Sequence, residues 1–190
     1  AVILVVRRDL QRLRFEKSDV ARVKNVGEQL AVSLRRGMLH EQLEFEARHD
    51  ALTGLPARTM FETEVGAAVH HRHEGEIACV LMLDLDRFKE VNDTLGHHAG
   101  DDLLVQFADR MSALLGHDDV MARLAGDEFA ILCRRRTHDE IVEFARDCAR
   151  VGSQPVTLDG LEIVVTVSVG VAEITAFDTD AVQPMRRADI

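Results

Sequence analysis

The stretch RLAGDEFAIL, residues 123–132, places an Ala-Gly turn and two adjacent acids between apolar flanks. The flanks predict two strands, over residues 120–124 and 128–134, joined as a β-hairpin. Neighbouring carboxylates repel each other and cost free energy unless a cation offsets their charge. Asp127 and Glu128 are therefore candidate functional residues, and Ala125, just before them, needs an explanation.

Two further acids end a second predicted strand. Residues 77–86, IACVLMLDLD, are apolar up to Asp84 and Asp86, which is typical of a buried central strand. If this strand lies beside the hairpin, Asp84 and Asp127 face a common cation, and ligands that are all oxygen suit Mg²⁺ or Mn²⁺. Any one of these acids is also explained as a helix cap or turn residue, so the metal-site interpretation depends on the whole set.

The segment that follows predicts a phosphate site. A helix is expected over residues 87–95 with Asp86 as its cap, and its free N–H groups and positive dipole end suit phosphate oxygens. Lys89 adds a positive charge in the first turn. A metal site beside a helix N-terminus predicts binding of a nucleoside triphosphate, although the chain contains no glycine-rich phosphate loop.

Asn92 and Asp101 are candidates for reading the base. Asn92 lies one helical turn after Phe88, and Asp101 is expected to begin the next helix, over residues 99–115. Guanine offers two donors, N1–H and the 2-amino group, to a carboxylate, whereas adenine has an acceptor at N1. The arrangement favours guanine, but the same residue types beside a glycine turn also act as helix caps.

The remaining pattern alternates helices with hairpins. Helices are expected over residues 57–73 and 138–151, a hairpin turn at Asp159-Gly160, and a last strand in VTVSVGVA, residues 165–172. This alternation predicts an α+β domain with a mostly antiparallel central sheet and flanking helices.

The N-terminal residues predict a connector. A strand over residues 1–8 precedes a helix expected over roughly residues 18–49. Apolar residues recur in this helix at the spacing of a coiled-coil seam, with a stutter after Leu34: Val20, Val23, Gly27, Leu30, Leu34, Met38 and Phe45. The pattern fits a parallel dimeric helix and also an amphipathic helix that packs on its own domain.

Composition excludes some classes of partner. The chain has 33 acidic and 23 basic residues and a net charge of -10, which argues against binding to a nucleic-acid backbone or an anionic membrane surface. The longest apolar run, AVILVV, is far shorter than the ~20 residues of a membrane helix. The three cysteines lack metal-site spacing and predict reduced thiols in a cytoplasmic protein.

Five motifs occur in an order and spacing that resemble the GGDEF domain of diguanylate cyclases: HDALTGLPAR, DLDRFKEVNDTLGHHAGDDLL, RLAGDEFAIL, VTVSVGVA and RRAD. The resemblance covers roughly residues 48–189 and implies a palm-like nucleotidyl cyclase fold. It divides the chain into residues 1–48, the end of an upstream sensor domain with a coiled-coil linker helix, and residues 49–190, a C-terminally truncated GGDEF domain. The preceding helix is similar to the last helix of GAF or PHY sensor domains, which implies a long signalling helix.

The resemblance implies that a homodimer makes cyclic di-GMP from two GTP molecules and releases two pyrophosphates. Mg²⁺ or Mn²⁺ would activate the attacking hydroxyl and offset developing phosphate charge. The roles carried over by position are metal binding by Asp84, Asp127 and the Leu85 carbonyl, action of Glu128 at the metal or on the hydroxyl, phosphate contacts from Phe88 and Lys89, guanine contacts from Asn92 and Asp101, and nucleotide contact at Gly126.

Three departures from the family pattern bear on activity. Ala125 stands where the family has its first glycine, and a methyl group is the smallest intrusion, so we expect activity to be retained. The stretch GHDD, residues 116–119, lacks the Arg of the family's product-inhibition RxxD, so we expect no tight product feedback. The family's closing helix, with Lys and Arg that grip phosphates, falls beyond Ile190.

Two other functions stay open from the sequence. A degenerate GGDEF domain would bind GTP as a regulatory ligand and control an attached domain, such as a downstream EAL phosphodiesterase. A purely dimerising connector with an inert domain is disfavoured, because an inert site has no use for Asp84, Asp127 and Glu128 together with two base-reading residues.

Overall fold

A computed structural model describes residues 24–36, 48–71, 75–135 and 137–189. The chain divides into two compact units, Ala1–Glu46 and Ala47–Ile190. In the first unit, residues 24–36 form helix α1, on which Leu30 and Leu34 of the predicted seam are exposed. Gly27 of the seam also lies on α1, whereas the predicted strand over residues 1–8 and the seam positions Val20, Val23, Met38 and Phe45 lie outside the described residues.

The second unit is an α+β domain. Its elements, in chain order, are α2 (Arg58–His70), β1 (Ile77–Leu85), α3 (Phe88–Leu95), α4 (His97–Ser112), β2 (Val120–Ala125), β3 (Glu128–Arg135), α5 (His138–Gly152), β4 (Val156–Leu158), β5 (Leu161–Ile163), β6 (Val167–Glu173) and α6 (Val182–Ala188). None of the helices in the described part of the chain has the length and hydrophobicity that a bilayer span requires.

The central sheet has the strand order β2-β3-β1-β6, and each neighbouring pair is antiparallel. Strand β1 therefore lies beside the hairpin, which is the condition under which Asp84 and Asp127 can face a common cation. Asp84 of β1 pairs in register with Glu128 of β3 on one side and with Ser168 of β6 on the other. The acids of both motifs thus reach the same end of the sheet.

Strand β1 is apolar up to Asp84 because helices cover both faces of the sheet. Alternate residues of a strand point to opposite faces. Leu81 and Leu83 join a core with α4 and α5, whereas Val80 and Met82 join a second core with α2 and α6. The predicted α+β class with a mostly antiparallel sheet is confirmed.

The boundaries of two helices differ from prediction. Helix α4 begins at His97 rather than near residue 99, because only Gly96, with φ of 88°, separates it from α3. Asp101 consequently lies in the second turn of α4 instead of at its start. Helix α2 ends at His70, and residues 72 and 73 of its predicted span lie outside the described residues.

The Asp159-Gly160 turn is confirmed, but it closes a separate two-stranded sheet of β4 and β5. Both turn residues have positive φ, 49° and 80°, as a type I′ hairpin turn requires. The last strand of the main sheet begins two residues later than VTVSVGVA, at Val167.

The three cysteines lie in the core. Cys79, Cys133 and Cys148 are free thiols and almost fully buried. Burial raises the pKa of each thiol to about 12. Since the thiolate is the reactive form, these residues act as core side chains.

An ion pair between Arg187 and the buried Asp178 links helix α6 to the preceding loop. Both guanidinium Nη atoms of Arg187 donate to the Asp178 carboxylate, at 2.5 and 2.9 Å. The Thr175 amide donates to the same carboxylate at 2.6 Å. The Asp178 side chain is only 1% exposed, and bonding to Arg187 is the main cause that lowers its pKa to about 2.

We expect Asp178→Asn to lower the free energy of unfolding by about 2 kcal/mol at pH 7, because it leaves Arg187 without its charged acceptor. Since the pKa of Asp178 is depressed in the folded state, its contribution is present above pH 3.8 and is lost as the pH falls through about 2. Urea unfolding at pH 7 and at acid pH measures both effects. Asp147→Asn, which breaks the exposed pair with Arg150, is the control and should cost under about 0.5 kcal/mol. Equal losses in the two variants would contradict the account.

Candidate active site

Four acidic residues lie close together at one end of the central sheet, where the β2–β3 hairpin turns: Asp84, Asp86, Asp127 and Glu128. Burial is the main cause that raises the pKa of Asp84, and the charges of Asp127, Asp86 and Glu128 raise it further. Asp84 is half-buried at the end of β1, and Asp127 is half-buried in the turn that follows β2. The predicted juxtaposition of the strand-end and turn acids is present in the folded domain.

This set fits a hard divalent cation that shares its coordination with a substrate. Among the residues that the structure describes, no three His, Cys, Asp or Glu side chains form a metal-binding group by themselves. Mg²⁺ commonly takes one or two carboxylates and completes its shell with water and substrate phosphates. Asp84 and Asp127, crowded by like charge, match that donor set better than a site enclosed by protein alone.

The turn itself is shaped by a glycine and a register shift. Gly126 has φ of 50°, in the left-handed region, where a side chain would be strained. The pairing of β2 with β3 shifts between Arg123 and Ala125, so Leu124 is an extra residue on the β2 side. Ala125 is exposed, ends β2 and has no positive φ. The backbone at position 125 therefore does not require glycine.

Asp86 has a different role from the predicted one. Its carboxylate accepts hydrogen bonds from the Thr166 hydroxyl at 2.5 Å and the Ser168 hydroxyl at 2.8 Å, and these bonds lower its pKa. The N-cap of α3 is Arg87, in the left-handed conformation with φ of 59°, and no side chain caps the helix. The prediction that Asp86 caps α3 is wrong, because two hydroxyl donors near β6 bind its carboxylate. The first helical residues are Phe88, half-buried, and Lys89, exposed.

Asn92 packs against α4 at Gly100, where an added methyl group would displace the Asn92 side chain. A Cβ built on Gly100 would lie 2.0 Å from the Asn92 side-chain oxygen and 3.2 Å from the ring of Phe88. Asp101 is the next residue and is exposed. The structure thus places Asn92 against Gly100, the residue before Asp101, across the α3–α4 contact. A glycine inside a helix is unfavourable by itself, so Gly100 is a signal from which sequence reasoning could have found this close approach, although it did not use it.

Sequence reasoning did not identify the basic residues near Glu128. Arg58, the first residue of α2, places its guanidinium 3.6 Å from the Glu128 carboxylate. A cavity of about 310 Å³ beside this pair also includes Arg186, and a second, of about 230 Å³, is lined by Asp84 and Glu128. No sequence signal pairs Arg58 with a residue seventy positions away, since a basic residue after a Pro-Ala helix start is common.

Asp119, the remaining acid of the GHDD stretch, is engaged within the protein. Its side chain is 2% exposed and accepts hydrogen bonds from both Nη atoms of Arg135 at 2.8 Å and from the Gly116 amide at 2.9 Å. Burial opposes ionisation, but these bonds outweigh it and lower the pKa of the carboxyl. The carboxylate has little capacity left for a ligand, and the lack of tight product feedback stays a prediction.

An antiparallel sheet with helices on both faces and acids gathered at one end is the architecture expected of a palm-like nucleotidyl cyclase domain. The family described as "Diguanylate cyclase, GGDEF domain" matches residues 47–190. The chain therefore belongs to the GGDEF family, and the resemblance found in its motifs is confirmed.

The relatives include proteins named for opposite activities. The chain is 41% identical over 134 residues to the cyclic di-GMP phosphodiesterase NbdA of Pseudomonas aeruginosa, covering 70% of this chain and 17% of the relative. It is 39% identical over 133 residues to the diguanylate cyclase TpbB of the same species, covering 68% of this chain and 31% of the relative. The chain thus spans less than a third of the length of either relative.

Solved structures place the fold in the same group. The coiled coil and GGDEF domain of DgcB from Caulobacter crescentus, in complex with c-di-GMP, superposes with a TM-score of 0.77 at 27% sequence identity. The match covers 87% of this chain and 89% of that one.

Proposed function

We propose that this domain is a diguanylate cyclase that condenses two GTP molecules into cyclic di-GMP. The observation that carries the proposal is the gathering of Asp84, Asp127 and Glu128 at one end of the sheet, with Asp84 opposite Glu128 in register. A degenerate domain would have no reason to retain this costly crowding of like charges.

The residues would divide the work by position. Asp84, Asp127 and the Leu85 carbonyl would hold Mg²⁺ or Mn²⁺, which when bound lowers the pKa of the attacking 3′-hydroxyl and offsets charge on the phosphate. Glu128, held near Arg58, acts at the metal or on the hydroxyl proton. The nucleotide contacts come from the start of α3, its contact with α4, and the hairpin turn: Phe88, Lys89, Asn92, Asp101 and Gly126.

The reaction requires two copies of the site. Each domain holds one GTP, and the two must face each other so that each hydroxyl attacks the other nucleotide's α-phosphorus. We propose a homodimer through the N-terminal helix, whose Leu30 and Leu34 are exposed in the single chain. The proposed division is a sensor end with linker over residues 1–48 and the catalytic domain over 49–190, in a cytoplasmic protein controlled by an upstream sensor domain.

The second candidate is a GTP-binding domain that regulates an attached module, such as an EAL phosphodiesterase. One relative named as a cyclic di-GMP phosphodiesterase favours keeping this candidate. The full-length protein incubated with GTP and Mg²⁺ separates the two. We expect cyclic di-GMP to form; GTP binding that alters phosphodiesterase activity, with GTP left unconverted, would select the second candidate.

The substitution Ala125→Gly tests whether the alanine at this position lowers GTP turnover. We expect Ala125→Gly to change the turnover of GTP by less than about threefold, because the backbone there is extended and needs no glycine. Comparing initial rates of the two proteins tests this. Gly126→Ala is the matched comparison, and it should cost about 1–2 kcal/mol of stability because position 126 has left-handed φ. A gain of tenfold or more in Ala125→Gly would show that the methyl group obstructs the nucleotide.

A further inference from the structure

Arg123 forms hydrogen bonds to the backbone of the turn that carries Asp127. The Nε and Nη2 atoms of Arg123 donate to the Gly126 carbonyl at 2.9 and 2.8 Å, and Nη1 donates to the Asp50 carboxylate at 2.9 Å. The Arg123 side chain is only 13% exposed. A guanidinium is a planar fork, so these two acceptors determine its orientation.

The Asp50 carboxylate is held by Thr53 as well as by Arg123. Its carboxylate accepts hydrogen bonds from the Thr53 amide at 2.9 Å and the Thr53 hydroxyl at 2.7 Å. Burial opposes ionisation, but the bonds from Thr53 and Arg123 outweigh it and lower the pKa of Asp50. The residue is therefore a charged, immobile acceptor at neutral pH.

Backbone bonds hold the two segments side by side. The Arg123 amide donates to the Pro56 carbonyl at 3.0 Å, and the Ala57 amide donates to the Arg48 carbonyl at 2.7 Å. The segment from Arg48 to Ala57 is thereby closed on itself and attached to β2. Asp50 cannot move far from Arg123 while these bonds persist.

The Gly126 carbonyl is the acceptor that matters for the turn. A glycine in the left-handed region has alternative backbone conformations of similar energy, so the peptide that joins it to Asp127 rotates easily unless held. Two N–H donors from one guanidinium restrict that rotation. The direction of the Asp127 side chain depends on this peptide.

We propose that Asp50 and Arg123 are positioning residues that set the orientation of Asp127 through the Gly126 carbonyl. This inference rests on the proposed function, since it gives Asp127 a role in turnover. It adds to that function two residues that touch neither substrate nor metal.

The test compares two arginines that make the same kind of contact. Arg123→Lys removes the fork from the turn, and Arg110→Lys removes a similar fork from the Gln154 and Pro155 carbonyls, both at 2.6 Å, away from the site. We expect Arg123→Lys to lower kcat by at least about tenfold with KM for GTP within about threefold, since small misplacements of a catalytic group cost up to about a hundredfold. Arg110→Lys should leave both constants unchanged.

Asp50 supplies the second arm. Asp50→Asn should lower kcat in the same direction, and the Asp50→Asn/Arg123→Lys double variant should be no slower than Arg123→Lys alone, because both act on one carbonyl. Additive losses in kcat, or equal losses in Arg123→Lys and Arg110→Lys, would overturn the proposal.

A readout independent of turnover separates this inference from the proposed function. Hydrogen–deuterium exchange of the amides at residues 126–128 should accelerate in Arg123→Lys and Asp50→Asn but not in Arg110→Lys. If the wild type makes no cyclic di-GMP, the proposed function fails while the exchange result still stands. If the wild type is active and exchange at the turn is unchanged in both variants, the positioning role is wrong.

Discussion

We expect the Asp84→Asn variant to lose at least about 10²–10³-fold of its GTP turnover while folding at least as stably as the wild type. The loss follows from removing one of two carboxylates proposed to hold the cation. The stability is expected because burial and three neighbouring acids raise the pKa of Asp84. The ionised carboxylate therefore destabilises the folded domain, and a neutral Asn removes that charge.

The raised pKa of Asp84 also sets the sign of the stability change. A raised folded-state pKa means that the favourable contribution of Asp84 is present below pH 3.8 and is lost as the pH rises through the raised value. At pH 7 without metal, neutral Asn should therefore raise the free energy of unfolding by about 0.5–1 kcal/mol, after allowance for solvent screening. Asp109→Asn, an exposed acid on α4, controls for net charge and should change neither property. A large loss of stability in Asp84→Asn would mean that the carboxylate has a structural role.

We expect Gly100→Ala to weaken the preference for GTP over inosine triphosphate, which lacks the 2-amino group, by about 10–100-fold. The added methyl group needs the space that the Asn92 side-chain oxygen occupies, 2.0 Å from the ideal Cβ position. Because that oxygen is the end of a side chain, it can move aside without unfolding the helix. We therefore expect the substitution to disturb the contact of Asn92 with the base and to leave the fold intact.

Gly66→Ala is the matched control for this substitution. Gly66 also lies inside a helix, but nothing lies within 4 Å of its ideal Cβ position. We expect that variant to gain about 0.5–1 kcal/mol of stability from helix propensity and to keep its GTP preference. The measurement is kcat/KM for each nucleotide in both variants. An unchanged nucleotide preference in Gly100→Ala would exclude Asn92 from base recognition.

The central sheet was predictable because its signals are local. The apolar run before Asp84, the hairpin around Asp127 and the Asp159-Gly160 turn each carry enough residues in the right pattern to define a strand or a turn. The juxtaposition of Asp84 and Asp127 could be predicted only on the condition that the strand and the hairpin are neighbours. The pairing of β1 with β3 meets that condition.

Other features depend on contacts distant in sequence. Asp86 looks like a helix cap from its neighbours, yet its carboxylate is bound by hydroxyls eighty residues away. Arg58 reaches Glu128, and Arg123 reaches Asp50, only after the sheet has formed. No local sequence pattern predicts such pairs, because Arg and Asp are common on protein surfaces.

The central claim is that this domain joins two GTP molecules through the acids at the end of the sheet. Its most direct test is to incubate the full-length protein with GTP and Mg²⁺ and to measure cyclic di-GMP, pyrophosphate and remaining GTP together. The account predicts one cyclic di-GMP and two pyrophosphates for every two GTP consumed, and no product from Asp84→Asn. GTP left intact by a folded, dimeric wild type, or product formed equally well by Asp84→Asn, would contradict it.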